Sequence, residues 1–264
     1  MASNFQDILV SNQTELAADG RLLLEIDLDL ERENLTERSC LILIDEAYYQ
    51  KLVAKPETIL HPEELKYFEA LKALKRKKEY FLGRFAAKRA LLRLTGGLSL
   101  SEILIKPGVF QQPIAVGSGC DRYSVCISHS GNIAAGIAYP SGHPLGIDIE
   151  WYEDKNLETL KSQIESKEIP DMSGCRTESE RYTRAWTVKE SLSKVLRCGL
   201  TTPISVLALN PEPQIKHGRW SGGFENFGQY RFLSISSDKF AFAITHPGRT
   251  KLVGPIQLIS KFTV

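Results

Sequence analysis

The sequence predicts a mixed α/β (α+β) fold, built as a pseudo-twofold duplication of two similar α/β subdomains with a ligand cleft between them. Two internal matches carry the prediction. FLGRFAAKRALLRL, from Phe81, aligns with YTRAWTVKESLSKV, from Tyr182, so that Phe85 meets Trp186, Lys88 meets Lys189, Leu91 meets Leu192 and Arg93 meets Lys194. SHSGNIAAGIAYP aligns with ISSDKFAFAITHP, pairing Ser130 with Ser237, Ala134 with Ala241 and Pro140 with Pro247. The offsets are nearly equal, so a unit of helix followed by hairpin occurs twice.

The elements follow in order. Arg21–Leu30 ends in alternation, with Ile26, Leu28 and Leu30 against Asp27 and Asp29, and Cys40–Asp45 is a short apolar run; both read as strands, the two acids on a solvated face. His61-Pro62-Glu63-Glu64 opens a helical region that runs to about Leu94 and stops at Gly96-Gly97. Its middle is strongly cationic, from Lys72 to Arg93, which suits either a solvated face or an anion site. Tyr123–Pro140 reads as a hairpin turning at Ser130-Gly131-Asn132, and Leu145–Glu150 as a strand. Residues 152–180 hold one short helix and a loop punctuated by Pro170, Ser173 and Gly174. The helix through Trp186–Arg197 ends before Gly199, and strands are expected at Ile204–Leu209, Gln214–Trp220, Gln229–Ser236 and Lys239–Thr245. Ile256–Val264 has no assigned form.

Composition narrows the function classes. A net charge of +1 gives no global field to attract nucleic acid or a membrane surface, so charged recognition must be local. Five cysteines, odd in number and without a C-x-x-C pair, argue for free thiols in the cytoplasm and against a disulfide frame or a zinc site. The first residues lack a signal pattern, and no apolar run approaches the ~20 residues of a membrane span.

Chemistry concentrates in two stretches. In Gly146-Ile147-Asp148-Ile149-Glu150 a strand puts Asp148 and Glu150 on one face and the isoleucines on the other. In Trp186–Lys194 the helical period puts Glu190 and Lys194 on one face, with Val188 and Leu192 available for burial. Were strand and helix to pack, three carboxylates and an ammonium would converge. Such carboxylates repel unless a cation lies among them, and Mg²⁺ suits hard oxygen donors.

GRFAAKRAL (Gly83–Leu91), SHS (Ser128–Ser130), GIDIE (Gly146–Glu150) and WTVKESLSK (Trp186–Lys194) resemble, in order and spacing, the motifs of 4′-phosphopantetheinyl transferases of the surfactin-synthetase type. The resemblance implies transfer of 4′-phosphopantetheine from coenzyme A to a serine of an acyl or peptidyl carrier protein, at an active site between the halves. Residues 1–143 would be the coenzyme A-binding half and 144–264 the metal-binding and catalytic half, acting as a cytoplasmic monomer. Carried over residue by residue, Asp148, Glu150 and Glu190 would hold Mg²⁺, with Asp148 also facing coenzyme A. Glu190 would take the proton of the incoming serine, directly or through a water, and Lys194 would bind or protonate the departing phosphate. Arg84, Ser128 and His129 would contact the phosphates or the adenine end of coenzyme A. Lys88 and Lys189 carry no firm role and could pair with acids on their own helices, and Trp186 reads as a core anchor. One departure stands out: where the family has Gly-Lys-Pro, this sequence has Phe110-Gln111-Gln112-Pro113, so the proline remains and the phosphate-binding lysine does not. Two other classes use similar residues, a catalytically silent module binding coenzyme A or a carrier protein and a metal-dependent phosphodiester hydrolase.

Overall fold

The computed structural model describes residues 15–16, 22–169, 175–212 and 218–262. The polar start, Arg21, the loop residues Pro170, Ser173 and Gly174, and the beginning of the strand expected at 214–220 lie outside the described residues. The strands are β1 (Glu15–Leu16), β2 (Leu22–Arg32), β3 (Leu35–Asp45), β4 (Leu104–Pro107), β5 (Pro113–Val116), β6 (Tyr123–Ser130), β7 (Ile133–Pro140), β8 (Gly146–Trp151), β9 (Leu209–Pro211), β10 (Arg219–Phe224), β11 (Tyr230–Ser236), β12 (Phe240–Pro247) and β13 (Lys251–Val253). The main helices are α1 (Pro62–Ala70), α2 (Leu74–Thr95), α3 (Leu157–Gln163) and α4 (Glu178–Leu196).

Two antiparallel sheets organise the chain. The first runs β1-β2-β3-β7-β6, with β13 also on β2, and the second runs β8-β12-β11-β10-β9; β4 and β5 form a separate hairpin. The repeated unit is visible in this order. In one half β3, α2 and the hairpin β6–β7 give the sheet order β3-β7-β6, and in the other β8, α4 and the hairpin β11–β12 give β8-β12-β11. Alternation along the strands then divides the core. Cys40, Ile42 and Ile44 of β3 face Phe81, Phe85 and Leu91 of α2, whereas Leu41 and Leu43 face a core between the two sheets that also buries Ile147, Ile149, Phe242 and Ile244. A third core joins Val188 and Leu192 of α4 to Trp220 and Phe232.

The repeat extends to two buried ion pairs. Lys88 Nζ donates to Glu64 and, at 2.8 Å, to the Ile59 carbonyl. Lys189 Nζ donates to Glu168 at 2.9 Å and to the Ile204 carbonyl at 3.4 Å. Glu64 also accepts the N–H groups of His61 and Ile105, and Glu168 those of Glu165 and Leu209. In each half one glutamate caps a helical turn, anchors a strand and neutralises a fully buried lysine, so its lone pairs are well used. The acidic partners of Lys88 and Lys189 therefore come from preceding segments, not from their own helices as the local spacing suggested. Burial pushes the Lys88 ammonium down to about 8 despite the adjacent Glu64.

The structure departs from or fills in several expectations, among them the strand expected at 214–220, which runs Arg219–Phe224. The helical region 61–94 breaks after Ala70 and resumes at Leu74, because Leu71 and Ala73 are extended (ψ 131° and 125°). Ile204–Leu207 is a 3₁₀ turn rather than strand, burying Leu207. The tail at Ile256–Lys261 is also 3₁₀, and its Ile256 and Ile259, with Phe262, enter the core between the sheets. Asp27, expected on a solvated face, accepts from Arg93 at 2.7 Å, so the repeat-mate of Lys194 is tied to the first sheet.

Candidate functional site

A cleft of about 750 Å³ opens where α2, the hairpin β4–β5, β6, β8 and α4 approach one another. Its lining includes Arg84, Ser128, His129, Asp148, Glu150, Glu190 and Lys194, which is every candidate residue from the sequence in one cavity. Close approach of backbone makes this possible. A Cβ on Gly146 would lie 2.1 Å from the Ser191 carbonyl oxygen, and one on Gly136 would lie 2.5 Å from the Ala87 nitrogen. Only glycine lets β8 and β7 come so near their covering helices.

The acidic floor spans two elements. Ile147 and Ile149 of β8 are fully buried on the core side, which turns Asp148 and Glu150 toward the cleft. Lys194 Nζ donates to Asp148 Oδ1 at 2.7 Å from α4, and Glu190 lies one turn earlier on that helix. Asp148 is 3% exposed, and its Oδ2 is buried without a hydrogen-bond partner. Burial and then repulsion from Asp148 push the Glu150 carboxyl up to about 7; the same two causes raise Glu190. Burial disfavours the charge on Lys194, but the attraction of Asp148 and Glu190 outweighs it and the ammonium is held more firmly than usual.

These observations test the site for a cation. Three carboxyl groups close enough to perturb one another, one with an orphaned buried oxygen, suit a hard divalent ion. Among the described residues no three His, Cys, Asp or Glu side chains already stand together as a metal-ligand set. Lys194 instead supplies the positive charge at Asp148, occupying one of its two oxygens. The donors fit a hard divalent ion in kind, although among the described residues they do not stand together as a ligand set.

The opposite wall is cationic and aromatic. The Arg84 guanidinium lies 4.3 Å from the centre of the Tyr80 ring, and Arg84 Nε is buried without a hydrogen-bond partner, 3.9 Å from Glu64. A planar donor fork held on a ring suits a phosphate. His129 is 42% exposed and has Glu79 at 4.0 Å. Burial pulls its imidazole below the usual histidine range, with Lys194 and Arg76 acting the same way and Glu79 opposing them.

Ser128 is buried, and its hydroxyl donates to Asp148 Oδ1 at 2.6 Å while accepting the Ile149 N–H at 3.3 Å. Its proton thus serves the acidic floor rather than pointing into open cleft. Where the lysine is missing, Gln111 adopts φ +62°, a left-handed conformation natural to glycine, and Gln112 folds back to accept the Phe110 N–H at 2.9 Å.

Sequence reasoning missed four contributors. Glu64 anchors Arg84, Tyr80 supports it, Glu79 faces His129, and Ser130 donates to Glu150 at 2.7 Å. A signal existed for the last. Ser128 and Ser130 are two apart on one strand, as are Asp148 and Glu150 on the other, so neighbouring strands would match serine to acid twice.

Residues 144–245 match the family model of the 4′-phosphopantetheinyl transferase superfamily. Among solved structures, a holo-(acyl-carrier-protein) synthase from Bacillus anthracis str. Ames in complex with CoA (3′,5′-ADP) is 24% identical, covering 44% of this chain and 96% of its own, with TM-score 0.34. Holo-ACP-synthase from Plasmodium yoelii is 24% identical over 44% of this chain and 91% of its own, TM-score 0.32. Holo-[acyl-carrier-protein] synthase from Helicobacter pylori, in complex with coenzyme A, is 21% identical over 44% and 99%, TM-score 0.32. No curated protein sequence matches the chain.

Proposed function

We propose that the chain is a 4′-phosphopantetheinyl transferase, of the surfactin-synthetase type by its sequence motifs, that moves 4′-phosphopantetheine from coenzyme A to a serine of an acyl or peptidyl carrier protein. One observation carries the reading: acids from β8 and α4 share a single cleft with Lys194, Arg84 and His129, charges matched to a pyrophosphate and a third phosphate. The family match over residues 144–245, which include Asp148, Glu150, Glu190 and Lys194, supports it.

In this reading Arg84 and His129 bind phosphate oxygens of coenzyme A. Asp148, Glu150 and Glu190 would hold a divalent cation, Mg²⁺, which would supply neutralisation of negative charge at the pyrophosphate. Glu190, its carboxylate made more basic than usual by burial, takes the proton from the carrier serine hydroxyl. Lys194, firmly protonated, remains beside the departing phosphate and stabilises its charge. Carrier protein and coenzyme A are the partners.

The test is incubation of the protein with coenzyme A, Mg²⁺ and a panel of apo carrier proteins, followed by intact-mass measurement of each carrier. A gain of one phosphopantetheine group on a serine is expected, lost in Glu190→Gln and Asp148→Asn. Release of free phosphopantetheine without carrier modification would instead identify a hydrolase, and tight coenzyme A binding with no product a silent binding module.

A further inference from the structure

The two sheets meet along the outer edges of β6 and β8, and these strands belong to different sheets. The amide groups of an edge strand need partners, and here side chains provide them. Cys126 Sγ accepts the Ile147 N–H at 3.4 Å, Ser128 Oγ that of Ile149 at 3.3 Å, and Ser130 Oγ that of Trp151 at 3.1 Å. Each rung joins residues 21 apart, and the rungs recur with the two-residue period of a strand. Between the rungs, Ile127 packs against the α2 core, as Val125 does just before them, while His129 lines the cleft.

The two serines do more than satisfy amides. A hydroxyl has one proton and two lone pairs. While a lone pair takes the amide, the proton goes to a carboxylate: from Ser128 to Asp148 Oδ1 at 2.6 Å, and from Ser130 to Glu150 Oε2 at 2.7 Å. Each serine therefore fixes an acid relative to the backbone of the next residue. The Trp151 ring closes the end of the ladder, packed so near the β6–β7 turn that a Cβ on Gly131 would lie 2.3 Å from its Nε1.

We propose that Ser130 is a positioning residue for Glu150, and that Ser128 and Ser130 together set both β8 carboxylates at the joint between the halves. The inference rests on the reading of those acids as cation ligands. It gives the first half a part in the acidic floor that its own acids do not provide: β8 supplies the carboxylates and β6 aims them. The aim is independent of coenzyme A, since every atom in the ladder belongs to the chain.

The full-length protein can be titrated with Mn²⁺, free ion being followed by electron paramagnetic resonance, with and without coenzyme A, and melting temperatures recorded on the same samples. Ser130→Ala is expected to weaken Mn²⁺ binding about tenfold or more, as loss of a hydrogen bond to a ligand does, with Ser130→Thr restoring it. Cys126→Ala, which removes a rung with no acid opposite, is expected to lower the melting temperature while leaving Mn²⁺ affinity unchanged. If Ser130→Ala does not fold, Ser130→Cys fills the same space with a poorer donor and should bind Mn²⁺ more weakly than wild type. Wild-type Mn²⁺ affinity in a folded Ser130→Ala or Ser130→Cys variant, or equal weakening in Cys126→Ala, overturns the positioning role and leaves the transferase reading intact. No Mn²⁺ binding by the wild-type protein, with or without coenzyme A, overturns the cation reading and this inference with it.

Discussion

Lys194 Nζ and Asp148 Oδ1 stand 2.7 Å apart and tie α4 to β8 across the floor of the cleft. Removing the ammonium leaves a buried carboxylate facing two others. Lys194→Ala is therefore expected to lower the stability of the metal-free protein by about 1–3 kcal/mol, the cost of leaving a buried acceptor without its donor, smaller than for a fully buried pair because Lys194 is partly exposed. Added Mg²⁺ should recover more of that loss than it adds to the wild type, and turnover should fall more than coenzyme A affinity. Denaturant unfolding with and without Mg²⁺ checks the first part; an unchanged midpoint in both conditions would remove the proposed role of the pair.

Glu150 gives a pH dependence with a definite sign. Its carboxyl is raised from 4.5 to about 7 in the folded protein, so the folded state binds a proton that the unfolded state has released. The contribution to stability is complete below about pH 4.5 and disappears as pH rises through about 7. Glu150→Gln should thus raise the melting temperature of the metal-free protein at pH 8, with the gain vanishing by pH 4.5. Because cation binding requires the carboxylate, wild-type protein should release protons on taking up Mg²⁺ near pH 6.5, measurable in calorimetry with buffers of different ionisation enthalpy.

The matched pairs Glu64–Lys88 and Glu168–Lys189 permit a comparison within one molecule. Glu64→Gln and Glu168→Gln should each cost about 3–5 kcal/mol, since a buried lysine loses its counter-charge. Only the first should also weaken coenzyme A binding, because Glu64 lines the cleft beside Arg84 and Glu168 does not. Equal effects on coenzyme A affinity would mean that Glu64 acts through overall stability.

The hairpin tip offers a stabilising change. Gln111 holds φ +62°, where a Cβ is costly, so Gln111→Gly should raise stability by about 1 kcal/mol despite glycine's entropy. A lower melting temperature would show that the Gln111 side chain contributes contacts outweighing its backbone conformation.

Much of this arrangement could be read from the sequence where one periodicity governed the outcome. The alternation in Gly146–Glu150 and the spacing of Glu190 and Lys194 needed only the strand and helix repeats, and the structure brings both stretches to one cleft. The duplication was legible because the buried lysines and covering-helix aromatics recur. What escaped depended on long-range partners. Leu71, Lys72 and Ala73 are ordinary helix formers, and the break between α1 and α2 has no glycine or proline to announce it. Ile204–Leu207 has a strand's composition, yet it turns as 3₁₀ while the Ile204 carbonyl receives Lys189. The orientation of Ser128 and Ser130 could not be read until β6 was known to lie against β8.

The pairing of β13 with β2, and the burial of Ile256, Ile259 and Phe262 between the sheets, has a consequence for synthesis. The amides of Asp29–Glu31 wait for strand mates that the ribosome delivers some 220 residues later. The nascent amino-terminal sheet must travel with that stretch of the β2 flank unzipped, and the clasp closes only after β13 has emerged.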